Sequence, residues 1–215
     1  QPLSRAEFGY RPTDILLVYA GRVAVEKNLD FLMRSFAGVA QAVENVHLLI
    51  IGGGLQPIVD EIKSLTVELG IQNRVRFTGM IPYDQLPAHL AMCDIFVTAS
   101  VTEVHPLSVI EAMGAGLPVV GIHSPGVSDT VEDGKTGFLA THDLASYTAK
   151  LTRLCLDPKL IQQMGESARQ ASTAYAIERT SKLMLKHYER LVYDSTPRKR
   201  GLSVRLRSMM EKFLN

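Results

Sequence analysis

The chain has 215 residues, of which 46% are hydrophobic and 21% charged, and a net charge of +1. A chain of this size and make-up forms one large globular domain, or a domain with an extension, and buries its core without disulfide or metal cross-links. The charge balance points to no nucleic-acid partner. No apolar run of about 18 residues is present to cross a membrane, and no signal peptide opens the chain.

In chain order, residues 1–12 read as a linker. They begin Gln-Pro-Leu-Ser-Arg-Ala-Glu-Phe without an initiator methionine, as if cut from something longer. Apolar, β-rich runs follow at 15–19, 47–51, 75–77, 95–98 and 119–122, with a short sixth at 137–140. Helical patterns lie between them, near 27–43, 56–69, 83–92, 107–115 and 143–155. The strand runs are continuously apolar rather than alternating, which predicts a parallel sheet covered on both faces. Strand–helix alternation predicts right-handed crossovers and a single doubly wound α/β sheet of about six strands with helices on both faces. After residue 143 the pattern is all helical. Asp157-Pro158 supplies a cap and a pre-set first turn, and a long helix runs from about 174 to 193 as part of a C-terminal helical extension. Cys93 and Cys155 lie far apart inside apolar helical patterns and read as reduced core thiols of a cytoplasmic protein.

In a sheet of this kind ligands bind beyond the carboxyl ends of the strands. The loops expected there are 21–27, 52–55, 78–83, 99–106 and 123–128. In the first, Gly21 is followed by Arg22 and Lys27, two cations that flank the start of a helix. Such a pair suits a diphosphate, arginine binding two oxygens at once and lysine acting as a point charge. Taken singly, Lys27 is better explained by an ion pair with Glu26 or by solvation. Gly52-Gly53-Gly54 follows the second strand, but Pro57 stands where a dinucleotide fingerprint wants its third glycine. A nicotinamide or flavin site is therefore rejected. The glycines instead let backbone approach a ligand or a neighbouring loop. Thr78-Gly79 and Gly126 are explained by turn geometry alone.

The fourth loop carries the most specific pattern. Glu103 and Glu111 are separated by seven residues in Thr-Glu-Val-His-Pro-Leu-Ser-Val-Ile-Glu-Ala-Met-Gly-Ala-Gly-Leu-Pro-Val-Val. Pro106 favours a helix start there, and a helix start offers free amides and a positive dipole end to an anion. Glu111, about one and a half turns in, is placed to hold vicinal hydroxyls of a sugar attached to a bound phosphate. Each glutamate alone reads as a solvated surface acid, although Glu111 sits among residues that favour burial. His105 is either a loop histidine with no chemical role or a sugar contact. The six histidines show no ligand spacing, so no metal site is expected, and no nucleophile elbow is present.

From about residue 13 to 193 the chain resembles the C-terminal, donor-binding half of the family-4 (group 1) retaining glycosyltransferases of GT-B architecture. Glu103-x7-Glu111 with Ala-Met-Gly-Ala-Gly-Leu-Pro-Val-Val carries the likeness. Gly-Arg-x4-Lys at 21–27, Val-Arg-Phe-Thr-Gly at 75–79 and Val-Glu-Asp-Gly-Lys-Thr-Gly-Phe-Leu at 131–139 support it in order. The resemblance implies a Rossmann-like domain over 13–193 that binds a nucleoside-diphosphate sugar and moves a hexose with retention. It implies catalytic roles for Glu103, Arg22 and Lys27: Arg22 and Lys27 on the diphosphate, Glu103 on the donor hexose. Glu111 would hold the ribose, and backbone from His105 through Pro106 and Leu107 to Ser108 would cradle phosphate and sugar. Gly21 and Gly53 would line the site, and residues near Arg76, Phe77 and Thr78 would flank the base, mostly through backbone. No cofactor or metal is implied beyond the donor itself. Val104 and His105 replace the usual glycine and small or aromatic residue after Glu103, which bears on sugar identity. Asn28 replaces a frequent glycine, and Asp129 a frequent glutamate.

The family's N-terminal acceptor domain has no counterpart in this sequence, so efficient transfer by this part alone is not expected. A non-catalytic nucleotide-sugar-binding module and a nucleotide-sugar epimerase are the alternatives. The tail, 194–215, holds six basic residues and one acid from 197 onward, leaving the remainder at −4. It patterns as a basic amphipathic helix that fits either an anionic membrane surface at the inner face or protein, including the missing domain.

Overall fold

The computed structural model describes residues 3–195. They group into two compact units, one ending at Thr173 and the other starting at Ala174. The long helix thus lies in the second unit rather than inside a single domain over 13–193. The basic tail expected over 197–215 lies outside the described residues.

The first unit is built on six strands: β1 (Ile15–Ala20), β2 (Val46–Ile51), β3 (Val75–Gly79), β4 (Ile95–Val97), β5 (Val119–Ile122) and β6 (Gly137–Ala140). They form one sheet in the order β3-β2-β1-β4-β5-β6 with every pairing parallel. Five of the strands are buried over most of their length, which is why their sequences are continuously apolar, whereas the edge strand β3 buries only Val75.

Period-two alternation sends Leu17 and Tyr19 to one face of the sheet and Leu16, Val18 and Ala20 to the other. The first face packs α1 (Leu29–Ala42), α2 (Gln56–Glu68) and α6 (Leu144–Cys155). The second packs α3 (Leu86–Ala91), α4 (Leu107–Gly114) and the short α5 (Val127–Thr130), with Ala168 of α7 (Pro158–Ser172). Asp143 and Asp157 cap α6 and α7 by accepting from Ser146 N and Leu160 N, each such cap being worth about 1 kcal/mol. Tyr147 of α6 is fully buried, and its phenol reaches the carbonyls of Thr98 and Val120 at 3.1 and 3.0 Å, tying the ends of β4 and β5 together.

Residues 3–12 are docked rather than free. Arg5–Phe8 form a 3-10 turn, and Arg5 donates to the carbonyls of Met92 and Asp14 and pairs with Asp94 at 2.7 Å. Leu3 and Phe8 pack against the second face of the sheet. The second unit contains α8 (Ile177–Ser195), which exposes Ile177, Met184, Tyr188 and Leu191. Among the described residues no helix is long and apolar enough to cross a membrane.

Cys93 and Cys155 are free and buried. Burial pushes both thiols up, Cys155 to about 12, with the Asp94 carboxylate adding to the effect. The thiolate is the reactive form. Alkylation by iodoacetamide at mildly alkaline pH should therefore leave both cysteines unmodified in the native protein and label both in denaturant, as read by intact mass. Rapid labelling of native protein would contradict their placement.

Candidate functional site

The strand order reverses between β1 and β4. Crossovers from these neighbours run to opposite faces, so the loops beyond their carboxyl ends diverge and open a crevice. A cleft of about 540 Å³ lies there. Its floor is the strand ends Ala20 and Ile51 with Gly21, Gly52 and Gly53. The cleft is also lined by Arg22, Met80, Ile81 and Tyr83 from the loops, by Leu86 of α3, and by Leu107, Ser108 and Glu111 of α4.

The glycine loop is close-packed against the first loop. Gly21 N donates to Ile51 O at 2.9 Å, and Val23 N to Gly53 O at 2.8 Å. A Cβ at Gly52 would overlap the Gly21 carbonyl, and Gly52 also has φ +133°. The neighbouring loop is thus what these glycines accommodate, and Gly53 faces the cleft as well.

Of the charged residues singled out from the sequence, Arg22 and Glu111 line the cleft. Arg22 is 76% exposed and pairs with Glu26 at 2.8 Å. Glu111 accepts a hydrogen bond from the Tyr83 phenol, which the carboxylate keeps protonated by raising its pKa. Lys27 and Glu103 do not line the cleft. They form an ion pair at 2.5 Å, each about one-fifth exposed. The two sets are linked through Tyr19, whose phenol donates to the Arg22 carbonyl at 2.8 Å. Burial raises the Tyr19 pKa, and the nearby Glu103 and Glu26 carboxylates raise it further.

The loop from β1 to α1 is held by Asn28. It has φ +54°, the one positive φ outside glycine among the described residues. Asparagine tolerates this left-handed region better than most residues. Its side-chain amide donates to Ala99 O at 3.2 Å and lies 3.1 Å from His142 Nε2. This ties the loop after β1 to the loop after β4 and sets Lys27 opposite Glu103. The backbone of Glu103 is braced in turn by Gly126 (φ +74°), where a Cβ would overlap the Glu103 carbonyl.

Pro106 is the cap of α4 rather than its first residue, and it is buried. Leu107 N donates to His105 O and Val109 N to Pro106 O, both at 3.0 Å. The helix start therefore offers fewer open amides than the sequence suggested. Leu107 and Ser108 face the cleft, whereas His105 is exposed and does not line it.

Arg76, Phe77 and Thr78 are not among the residues that line this cleft, and their side chains are engaged elsewhere. Arg76 lies over the Phe8 ring and donates to Phe8 O at 2.8 Å. Phe77 packs against the first face of the sheet. Thr78 bonds the carbonyl of Gly79 at 2.8 Å. Beyond Phe77 the register shifts: Ile50 pairs with Phe77 but Ile51 with Gly79, so Thr78 is the extra residue of a bulge. The bulge re-aims the chain, and Met80, Ile81, Tyr83 and Leu86 supply the apolar wall instead. Their position in the loop after β3 was legible; which side chains turn inward was not.

A family model described as "Glycosyl transferases group 1" matches residues 1–171. The GDP-mannose-dependent alpha-(1-6)-phosphatidylinositol monomannoside mannosyltransferase of Mycolicibacterium smegmatis is 34% identical over 173 residues, covering 77% of this chain and 44% of that protein. The D-inositol 3-phosphate glycosyltransferase of Nocardia farcinica is 30% identical over 198 residues, covering 89% and 44%. Among solved structures, sucrose-phosphate synthase from Thermosynechococcus elongatus superposes with a TM-score of 0.80 at 25% identity, over 90% of this chain and 50% of that one. HepE of Anabaena in complex with UDP and glucose superposes with a TM-score of 0.78 at 24% identity, over 86% and 50%. The chain spans about half the length of the curated relatives it matches.

Asn28→Val should destabilise the protein by about 1–3 kcal/mol, because a β-branched residue is strained at this φ. Asn28→Gly should cost less, since glycine adopts the conformation freely and only the side-chain contacts are lost. Urea unfolding of the two variants checks the order, and equal losses would contradict a backbone origin.

Proposed function

The chain belongs to the glycosyl transferases group 1 family, and from that membership we propose that it is the donor-binding half of a retaining glycosyltransferase, taking a nucleoside-diphosphate hexose. The observation that carries this reading is that Arg22 and Glu111 line one cleft at the reversal of strand order, where doubly wound sheets hold their ligands. A relative is GDP-mannose-dependent, which makes nucleoside-diphosphate sugars the ligands to test.

In this reading the nucleoside enters between Met80, Ile81 and Leu86, whose apolar surfaces suit a base. The ribose hydroxyls donate to Glu111. The diphosphate takes Arg22, which leaves Glu26. An exposed ion pair is worth about 0–1 kcal/mol, so that exchange costs little against two charge-assisted bonds from one guanidinium. Lys27 stands in the same loop and serves as the second cation, while its contact with Glu103 orients that carboxylate toward the hexose. The cations assigned to the diphosphate are thus side chains. As the anomeric bond breaks, charge builds on the leaving diphosphate, and fixed cations stabilise it there.

Transfer requires the acceptor to be held against the same centre. We assign that task to a further domain, for which the additional length of the relatives leaves room. The 215-residue chain by itself is expected to bind nucleotide without efficient transfer.

Addition of UDP, GDP or ADP should raise the melting temperature. Saturation to about 100 times the dissociation constant adds roughly 2.7 kcal/mol of stability. Arg22→Ala and Glu111→Ala should abolish the shift with the responding nucleotide. A flat response to every nucleoside diphosphate would overturn the reading.

A further inference from the structure

Tyr83 sits in the 3-10 turn Tyr83–Gln85 that leads into α3. Its ring is at the rim of the cleft and the residue is 76% exposed. Little packing fixes it, yet its phenol donates to Oε1 of Glu111 across the cleft that both residues line. The hydrogen bond to Glu111 raises the phenol's pKa, so at neutral pH it remains a donor.

Resting on the nucleotide reading above, we infer that Tyr83 is a further determinant of affinity in this site: its hydroxyl competes with the ligand's ribose hydroxyls for the Glu111 carboxylate. Both are neutral O–H donors seeking the same acceptor. A carboxylate can accept several hydrogen bonds, but one oxygen is already engaged from the cleft side. A vicinal diol that approaches both oxygens from the cleft meets the phenol at Oε1 and contends with it there. The exposed position makes displacement feasible without unfolding anything, and the tyrosine thus sets a threshold on nucleotide binding rather than a block.

Removing the hydroxyl removes the competitor and leaves the ring in place. For the 215-residue chain, calorimetric titration with the nucleoside diphosphate that binds wild type should show Tyr83→Phe binding about three- to tenfold more tightly, the range expected for one exposed hydrogen bond to a charged group. The gain should vanish with the 2′,3′-dideoxy form of the same nucleotide, which has no diol to contend for Glu111. Unchanged or weaker binding by Tyr83→Phe, or an equal gain for the dideoxy ligand, overturns the inference while leaving the nucleotide site standing. Weaker binding only in Tyr83→Leu would make the ring a stacking surface and also overturns it. If neither wild type nor any variant binds a nucleoside diphosphate, the nucleotide reading falls and this inference falls with it. Circular dichroism of Tyr83→Phe should match wild type, as befits an exposed side chain.

Discussion

β1 and β4 lie side by side at the centre of the sheet, and the chain leaves them toward opposite faces: α1 packs on one face and α4 on the other. Two right-handed crossovers that start from adjacent strands and diverge cannot cover the strand ends between them. That topological constraint creates the crevice before any functional residue is considered. It also explains why the loop after β1, carrying Arg22 and Lys27, faces the loop after β4, carrying Glu103. The buried strands then serve as a rigid base. Tyr147 fastens the ends of β4 and β5 from below, and Asn28 fastens the loops to each other from above.

The crevice is shaped by backbone as much as by side chains. The loop after β2 presses so closely on the loop after β1 that side chains at Gly52 and Gly54 would overlap carbonyls of Gly21 and Val23. Gly126 performs the same service against Glu103. Four loops from different parts of the sequence are thereby locked in two pairs by close backbone contacts. Close packing of this kind transmits small displacements, so a change at Gly52 is felt at Arg22.

The strands, the order of elements and the ligand-facing loops could be read from the sequence because continuous apolar runs and glycine-rich breaks report directly on burial and on chain reversal. Arg22, Gly21, Gly53, Leu107, Ser108 and Glu111, which the motifs and the family resemblance pointed to, all line the cleft. The inward turn of Met80 and Ile81 could not be read, because the one-residue shift at Ile50/Ile51 leaves no signature in composition. The docking of residues 3–12 was missed for a related reason. A short polar segment reads as a linker unless its partners are known, and Arg5 finds them at Met92, Asp14 and Asp94, most of them distant in sequence. The Lys27–Glu103 pair joins residues 76 apart, and the Tyr83–Glu111 contact residues 28 apart. Each residue could be named from its loop, but pairing is a property of the folded loops.

The electrostatic arrangement follows from these pairings. Arg22 pairs with Glu26 and shares the cleft with Glu111, while Lys27 pairs with Glu103, an excess of acid that in the proposed reading would repel a diphosphate if every charge stayed as it is placed. What resolves this is the unequal exposure of the two ion pairs. Glu26 is 42% exposed and Arg22 76%, so separating them returns both to water at little cost. Lys27 and Glu103 are each about one-fifth exposed, so separating them would leave less hydrated charges and costs more. In the proposed reading an incoming diphosphate would recruit Arg22 first and draw on Lys27 without breaking its contact with Glu103. The less exposed pair would then stay as the fixed reference for the sugar, and the more exposed pair would be the part that exchanges.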